Sequence, residues 1–167
     1  MAKGKRHIYA IALGSNQPRS RKLTPRRLVA KAMERLSKKP FNALMVSRII
    51  ETPPLGPSLR RYANAAVLVE TKLAPPELLR KLNKMERKAG RHHHARKWSA
   101  RPLDLDILLW SGGIWADDDL IIPHPEFRKR DFVLRPLAQV APAWRDPLTG
   151  LTPRHLLARL HKSRKKA

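Results

Sequence analysis

The chain contains no cysteine. Disulfides and thiolate-held zinc are therefore excluded, and the fold rests on its apolar core. Aromatic residues make up only 5% of the sequence, few for a protein that grips single-stranded nucleic acid by stacking its bases. No apolar run approaches the roughly 18–20 residues that cross a bilayer. No glycine-rich Walker loop is present, so any phosphate must be held mainly by side chains and metal. Acid is also scarce: 13 Asp and Glu face 36 Lys and Arg, a formal charge of +23.

What remains is enough for one domain. The 167 residues are 42% hydrophobic, which supports a real core and argues against disorder throughout. Residues 1–6 are basic, but the apolar run after them is short and Gly14-Ser15-Asn16 follows. This reads as a first strand rather than a signal peptide. Together with the missing cysteines, it leads us to expect a cytoplasmic protein. The charge favours polyanionic partners: nucleotides, nucleic acid or an anionic membrane surface. It equally fits a general basic adaptation, because it is spread over residues 19–27, 60–61, 87–97, 128–130 and 162–166.

The patterning predicts strands over 7–13, 42–51, 64–71 and 103–110. Helices are predicted from Thr24-Pro25 until Pro40 ends the first, from Pro75-Pro76 toward Gly90, over 132–140 and over 153–161. Strand–helix–strand–strand–helix–strand is the order of an α+β, ferredoxin-like βαββαβ core with helices on one face of the sheet, here followed by a helical C-terminal portion. Nothing calls for a second domain. We expect residues 1–167 to form one domain with short basic tails at about 1–6 and 162–167.

The most informative stretch is Leu103-Asp104-Leu105-Asp106-Ile107. Alternate side chains of a strand share a face. Leu103, Leu105 and Ile107 then point into a core while Asp104 and Asp106 point together, their Cβ atoms roughly 6–7 Å apart. Carboxylates so close repel unless a cation sits between them. The pair therefore points to magnesium, which takes one or two carboxylates plus waters and substrate phosphates. The competing reading is a solvated acidic strand face.

Three further segments carry candidate chemistry. His92-His93-His94 evokes zinc, but consecutive loop residues rarely aim at one point. With Arg91, Arg96, Lys97, Trp98 and Arg101 around it, the loop reads better as a lid that grips phosphate. Tyr62 and Asn64 share a strand face, where they either pack ordinarily or stack a flat heterocycle and read its amide-like edge. Ile122-Pro123-His124-Pro125 frames His124 near Arg128 and Arg130, for structure or for a phosphate contact.

Taken in order, these segments resemble the 6-hydroxymethyl-7,8-dihydropterin pyrophosphokinases. The resemblance runs from about Ile8 to Ala158 and rests on Ala-Leu-Gly-Ser-Asn at 12–16, Thr-Pro-Pro-Leu-Gly at 52–56 and Tyr-x-Asn-Ala-Ala-Val at 62–67. It continues through Glu86 with Gly90-Arg91, the Trp98–Arg101 loop, Leu-Asp-Leu-Asp-Ile at 103–107, Pro-His-Pro at 123–125, and Phe132 with Pro136-Leu137. It implies pyrophosphoryl transfer from ATP to a pterin hydroxymethyl group, releasing AMP. It also implies two magnesium ions on Asp104 and Asp106, and Arg91 and Arg101 as catalytic-loop arginines. Thr52, Pro53, Leu55, Tyr62, Asn64, Trp98 and Phe132 would form the pterin side, and Glu86, His94, Ile107, His124 and Arg130 the ATP side. The expected protein is a monomer acting on two small molecules. Alternatives are a basic ferredoxin-like RNA-binding protein and a paralogue acting on another pterin alcohol. Departures from the family pattern are Ser99-Ala100 in the lid, His93 and His94 where Arg or Lys is common, and the acidic run Asp117-Asp118-Asp119.

Overall fold

A computed structural model of the chain describes residues 4–53, 61–90 and 101–166. The elements are β1 (His7–Ser15), α1 (Pro25–Leu36), β2 (Phe41–Val46), β3 (Ile50–Thr52), β4 (Tyr62–Thr71), α2 (Pro75–Lys88), β5 (Asp104–Trp110), β6 (Trp115–Ala116), β7 (Ile121–Ile122), α3 (Asp131–Val140) and α4 (Pro153–Lys166). The main sheet runs β2-β4-β1-β5 with β3 also on β4, and every pairing is antiparallel. Among the described residues this is a mixed α and β architecture built on an antiparallel sheet and four α-helices.

Strand alternation sorts side chains into two layers. Tyr9, Ile11 and Leu13 of β1, Ala63, Ala65 and Val67 of β4, and Leu105 and Ile107 of β5 pack against Val29 and Leu36 of α1 and Leu78 and Leu82 of α2. The opposite face carries Ala10, Ala12, Ala66 and Leu108, which meet Val133, Leu134 and Leu137 of α3 and Leu156 of α4. Small residues on that face let α3 seat closely. The expectation of helices on one face therefore holds only for α1 and α2. The C-terminal helices bury the second face, which a sheet this apolar requires. Each fully buried leucine among these contributes about 1.5–3 kcal/mol by leaving water.

Several boundaries differ from the sequence reading. The segment expected as one strand over 42–51 is two, because Ser47 leaves the ladder with its hydroxyl oxygen accepting from Ala66 N at 2.8 Å. The chain then re-pairs at β3, opposite Tyr62 to Asn64. The β6–β7 hairpin was not anticipated; two-residue strands are too short to leave a period. α1 begins as expected, with the Thr24 hydroxyl accepting from Arg27 N. α4 runs five residues past the expected end, through a stretch whose basic residues are good helix formers.

Candidate active site

The α3/α4 layer covers only part of its sheet face. Beyond it, toward the end of β1, lie the side chains the sequence singled out. Gly14 pairs with Asn64 on one side and with Asp104 on the other. Ala12 likewise pairs with Ala66 and Asp106. With strands about 4.8 Å apart, Asn64 and Asp104 stand roughly 10 Å from each other across a floor with no side chain at its centre. A Cβ on Gly14 would lie 3.1 Å from Asn64 Oδ1. Glycine is therefore what lets the Asn64 amide lie over β1.

Asn64 is 7% exposed, and among the described residues its Nδ2 has no hydrogen-bond partner. A buried amide donor left open costs free energy unless a ligand completes it. Tyr62 and Thr52 stand directly opposite each other on β4 and β3, on the face that carries Asn64. Both are half-buried, and Pro53 is exposed. Phe132, half-buried in the first turn of α3, packs on the same core layer.

Asp104 and Asp106 project from β5 on this face, and their side chains keep 30% and 34% of their exposure. Arg101 Nη1 lies 3.3 Å from Asp104 Oδ1. The backbone of Arg101 is clamped by Asn16: Arg101 N donates to Asn16 Oδ1 at 2.7 Å, and Asn16 N donates to Arg101 O at 3.2 Å. The sequence reading listed Gly14 and Asn16 in a motif without giving either a role. The signal was there, as a Gly-Ser-Asn breaking a strand beside an acidic strand.

His124 N donates to Leu108 O, which seats the histidine beside β5. Its Nδ1 accepts from Glu126 N at 3.1 Å. The neutral ring then carries its proton on Nε2, which lies 3.9 Å from Asp106 Oδ1. Burial, and next the nearby Arg130 guanidinium, hold its pKa below the ordinary histidine value; Asp104 and Glu126 pull weakly the other way. Arg130 is half-buried at the junction between the short 3-10 turn Phe127–Lys129 and α3. That turn is anchored by a bidentate pair, Arg128 Nε and Nη2 to Asp146 at 2.6 and 2.8 Å.

Two expected site residues stand elsewhere. Glu86 is 3% exposed on α2, and its Oε1 accepts from Leu105 N at 2.8 Å. It caps the edge of β5 between the two aspartates. Ile107 is 3% exposed in the layer beneath α1 and α2, so its side chain points away from the aspartates. Leu55, Arg91, His94 and Trp98 lie outside the described residues.

Among the described residues no group of three or more His, Asp or Glu forms a complete metal cage. Two partly exposed carboxylates on one strand face suit a hard cation that keeps waters and takes its other oxygens from a phosphate. They do not suit zinc, which wants a closed set of nitrogen or sulfur donors.

A family model described as 7,8-dihydro-6-hydroxymethylpterin-pyrophosphokinase matches residues 10–142. The chain belongs to that family. The matched stretch holds all the site residues above, and α4 lies beyond it. Among curated proteins named 2-amino-4-hydroxy-6-hydroxymethyldihydropteridine pyrophosphokinase, the chain is 38% identical to one from Haemophilus influenzae over 78% of its own length and 79% of the relative's. It is 37% identical to one from Pseudomonas aeruginosa, over 82% of each. A Synechocystis relative is 43% identical, over 58% of this chain and 49% of the other. Among solved structures, Plasmodium falciparum HPPK-DHPS with pteroate matches 99% of the chain with a TM-score of 0.73 at 15% identity. This chain spans 44% of that protein's length. The likeness is one of fold.

Proposed function

We propose that this chain transfers a pyrophosphoryl group from ATP to the hydroxymethyl oxygen of 6-hydroxymethyl-7,8-dihydropterin, giving the pterin diphosphate and AMP for folate synthesis. The observation that carries this reading is the row Asn64–Gly14–Asp104. An unsatisfied buried amide and an acidic pair face one open floor roughly 10 Å apart. That is room for a flat heterocycle at one end and a phosphate chain at the other. Membership of the pyrophosphokinase family supplies the chemistry.

Asn64 donates from Nδ2 to the carbonyl-like edge of the pterin, with Tyr62 and Phe132 against its ring faces and Thr52, Pro53, Leu55 and Trp98 closing the pocket. Asp104 and Asp106 are the residues that would hold two magnesium ions, which would supply charge screening to the phosphates of ATP. Arg101, held by Asn16, sits where charge develops on the transferred group, and Arg91 joins it from the loop. His124 offers its Nε2 proton, and Arg130 its guanidinium, to phosphate oxygens; His94 assists. Glu86 acts at a distance: by fixing Leu105 N it sets the pitch of the two aspartates. Ile107 borders the adenine through its main chain alone.

The strand order and all-antiparallel pairing support reading the core as ferredoxin-like and the chain as one domain, with residues 162–166 continuing α4. We take the protein to work in the cytoplasm as a monomer; among the described residues no helix is long and apolar enough to cross a membrane. The family match does not favour RNA binding as the main activity, or a different pterin alcohol. The test is AMP release from ATP by purified protein with magnesium and 6-hydroxymethyl-7,8-dihydropterin. Release that vanishes without pterin and with EDTA is the expected result. A folded protein that releases no AMP would overturn the reading.

A further inference from the structure

The outer surface of α1 and α2 lies on the side of the sheet away from Asp104 and Asp106. Its charge is one-sided and periodic. Arg27, Lys31 and Arg35 recur every fourth residue on α1, and Arg80, Lys84 and Lys88 do so on α2; all six are exposed. Each row steps about 6 Å along its helix. Like charges four residues apart repel and weaken an isolated helix. Of the acids on the two helices, Glu34 is paired with Lys38 and also attracts Lys31, Glu77 accepts from Ala74 N at the helix start, and Glu86 is buried against β5, where it accepts from Leu105 N. Two of the arginines are steadied by carbonyls: Arg27 Nη1 bonds Lys22 O and Arg35 Nη1 bonds Lys38 O.

We infer that this two-helix face binds the phosphate backbone of duplex nucleic acid. Neither helix carries an aromatic residue, so bases have nothing to stack on, and a single strand is a poor fit. Among the described residues, the large exposed apolar ones, Leu44, Met45, Val46, Ile114, Ile121 and Leu148, all lie off these helices. Neither helix therefore offers an apolar anchor for a membrane. Two rows of cations on two helices of one layer match a polyanion with regularly spaced charge, read without regard to sequence. The face lies across the sheet from Asp104 and Asp106, so a duplex on it does not cover the aspartates.

The test uses the full chain, with fluorescence anisotropy on 20-base-pair DNA and RNA duplexes from 50 to 200 mM salt. Six engaged cations give a slope of log K against log salt of about −5, roughly a thousandfold loss over that range. The triple variant Arg27→Gln/Lys31→Gln/Arg35→Gln should lower the slope to about −3 and leave pterin-dependent AMP release unchanged. The matched variant Arg159→Gln/Lys162→Gln/Lys166→Gln, on basic α4, should leave the slope as it was. Equal losses from both triples would mean that net charge alone attracts the duplex, and would overturn the assignment. So would absence of binding at 50 mM salt, or α1-dependent binding to phosphatidylserine vesicles in place of the duplex.

Discussion

Changing Gly14 to alanine perturbs the proposed pterin end of the site by one methyl group. The added Cβ would meet Asn64 Oδ1 at 3.1 Å, a few tenths of an ångström inside ordinary contact. Gly14 is not among the glycines with positive φ, so the backbone accepts alanine without strain. Asn64 must move instead. Its strand is held at this point by Gly14 of β1 on one side and Ile50 of β3 on the other, and it cannot yield cheaply. The amide swings off the floor and loses its aim at the ligand edge. Two neutral hydrogen bonds at about 0.5–1.5 kcal/mol each amount to roughly 1–3 kcal/mol of binding. That is roughly 5- to 150-fold weaker pterin binding, at about 1.4 kcal/mol per decade. Titration of the pterin into the variant, with the steady-state KM for each substrate, measures it. The expected result is a raised pterin KM, an unchanged ATP KM and a melting temperature near that of the parent. An unchanged pterin KM would refute the assignment of Asn64 to the pterin, and a raised ATP KM alone would give the floor to the nucleotide.

Asp104→Asn and Asp106→Asn should each lower magnesium-dependent turnover by at least about 100-fold, since one oxyanion contact is worth that much in comparable sites, while the melt stays cooperative; near-full turnover in either removes the metal from this strand. Asp146→Ala leaves the Arg128 guanidinium without its bidentate partner and should cost about 3 kcal/mol in urea unfolding, with a loss under about 1 kcal/mol placing the pair among weak surface bridges. The Asp146 carboxyl ionises below its ordinary range because bonds from Arg128, Thr149 and Leu148 N outweigh the burial that opposes it. Its stabilisation is therefore held above about pH 4 and lost as pH falls, and Asp146→Asn should flatten that acid limb. His124 has the same sign for a different reason: folding depresses its pKa, so stability holds above about pH 6.5 and declines as acid charges the buried ring. His124→Gln should abolish that decline in melts between pH 5 and 7; an unchanged slope assigns the decline to other groups.

The sequence showed the metal end of the site more clearly than the rest. Period-two alternation over Leu103–Ile107 is a local signal, and it fixes which way the aspartates face before any partner strand is known. The same holds for Thr24-Pro25 and Pro75-Pro76, whose backbone restrictions start helices wherever they stand. Glu86 and Ile107 were read onto the ATP side from family likeness, and the fold gives each a buried position. Nothing near Glu86 in the chain announces that Leu105 N will need an acceptor, because that need arises only when β5 becomes the sheet edge. The split at Ser47 was hidden for a like reason: its hydroxyl replaces a ladder bond to Ala66, 19 residues away.

By itself, then, the sequence determined the element types, the one-sided presentation of Asp104 and Asp106, the basic character of the surface and, through its ordered motifs, the family. Those properties depend on residues within a few positions of one another. Tertiary structure decided the rest: that α3 and α4 bury the second face of the sheet, that Asn64 and Asp104 share a floor across Gly14, and that Asn16 clamps Arg101 over a separation of 85 residues. It also decided that His124 stands neutral beside Asp106. Each of these requires strands or loops far apart in sequence to meet. Register and burial, which set those meetings and the dielectric around them, are properties of the packed core rather than of any one segment.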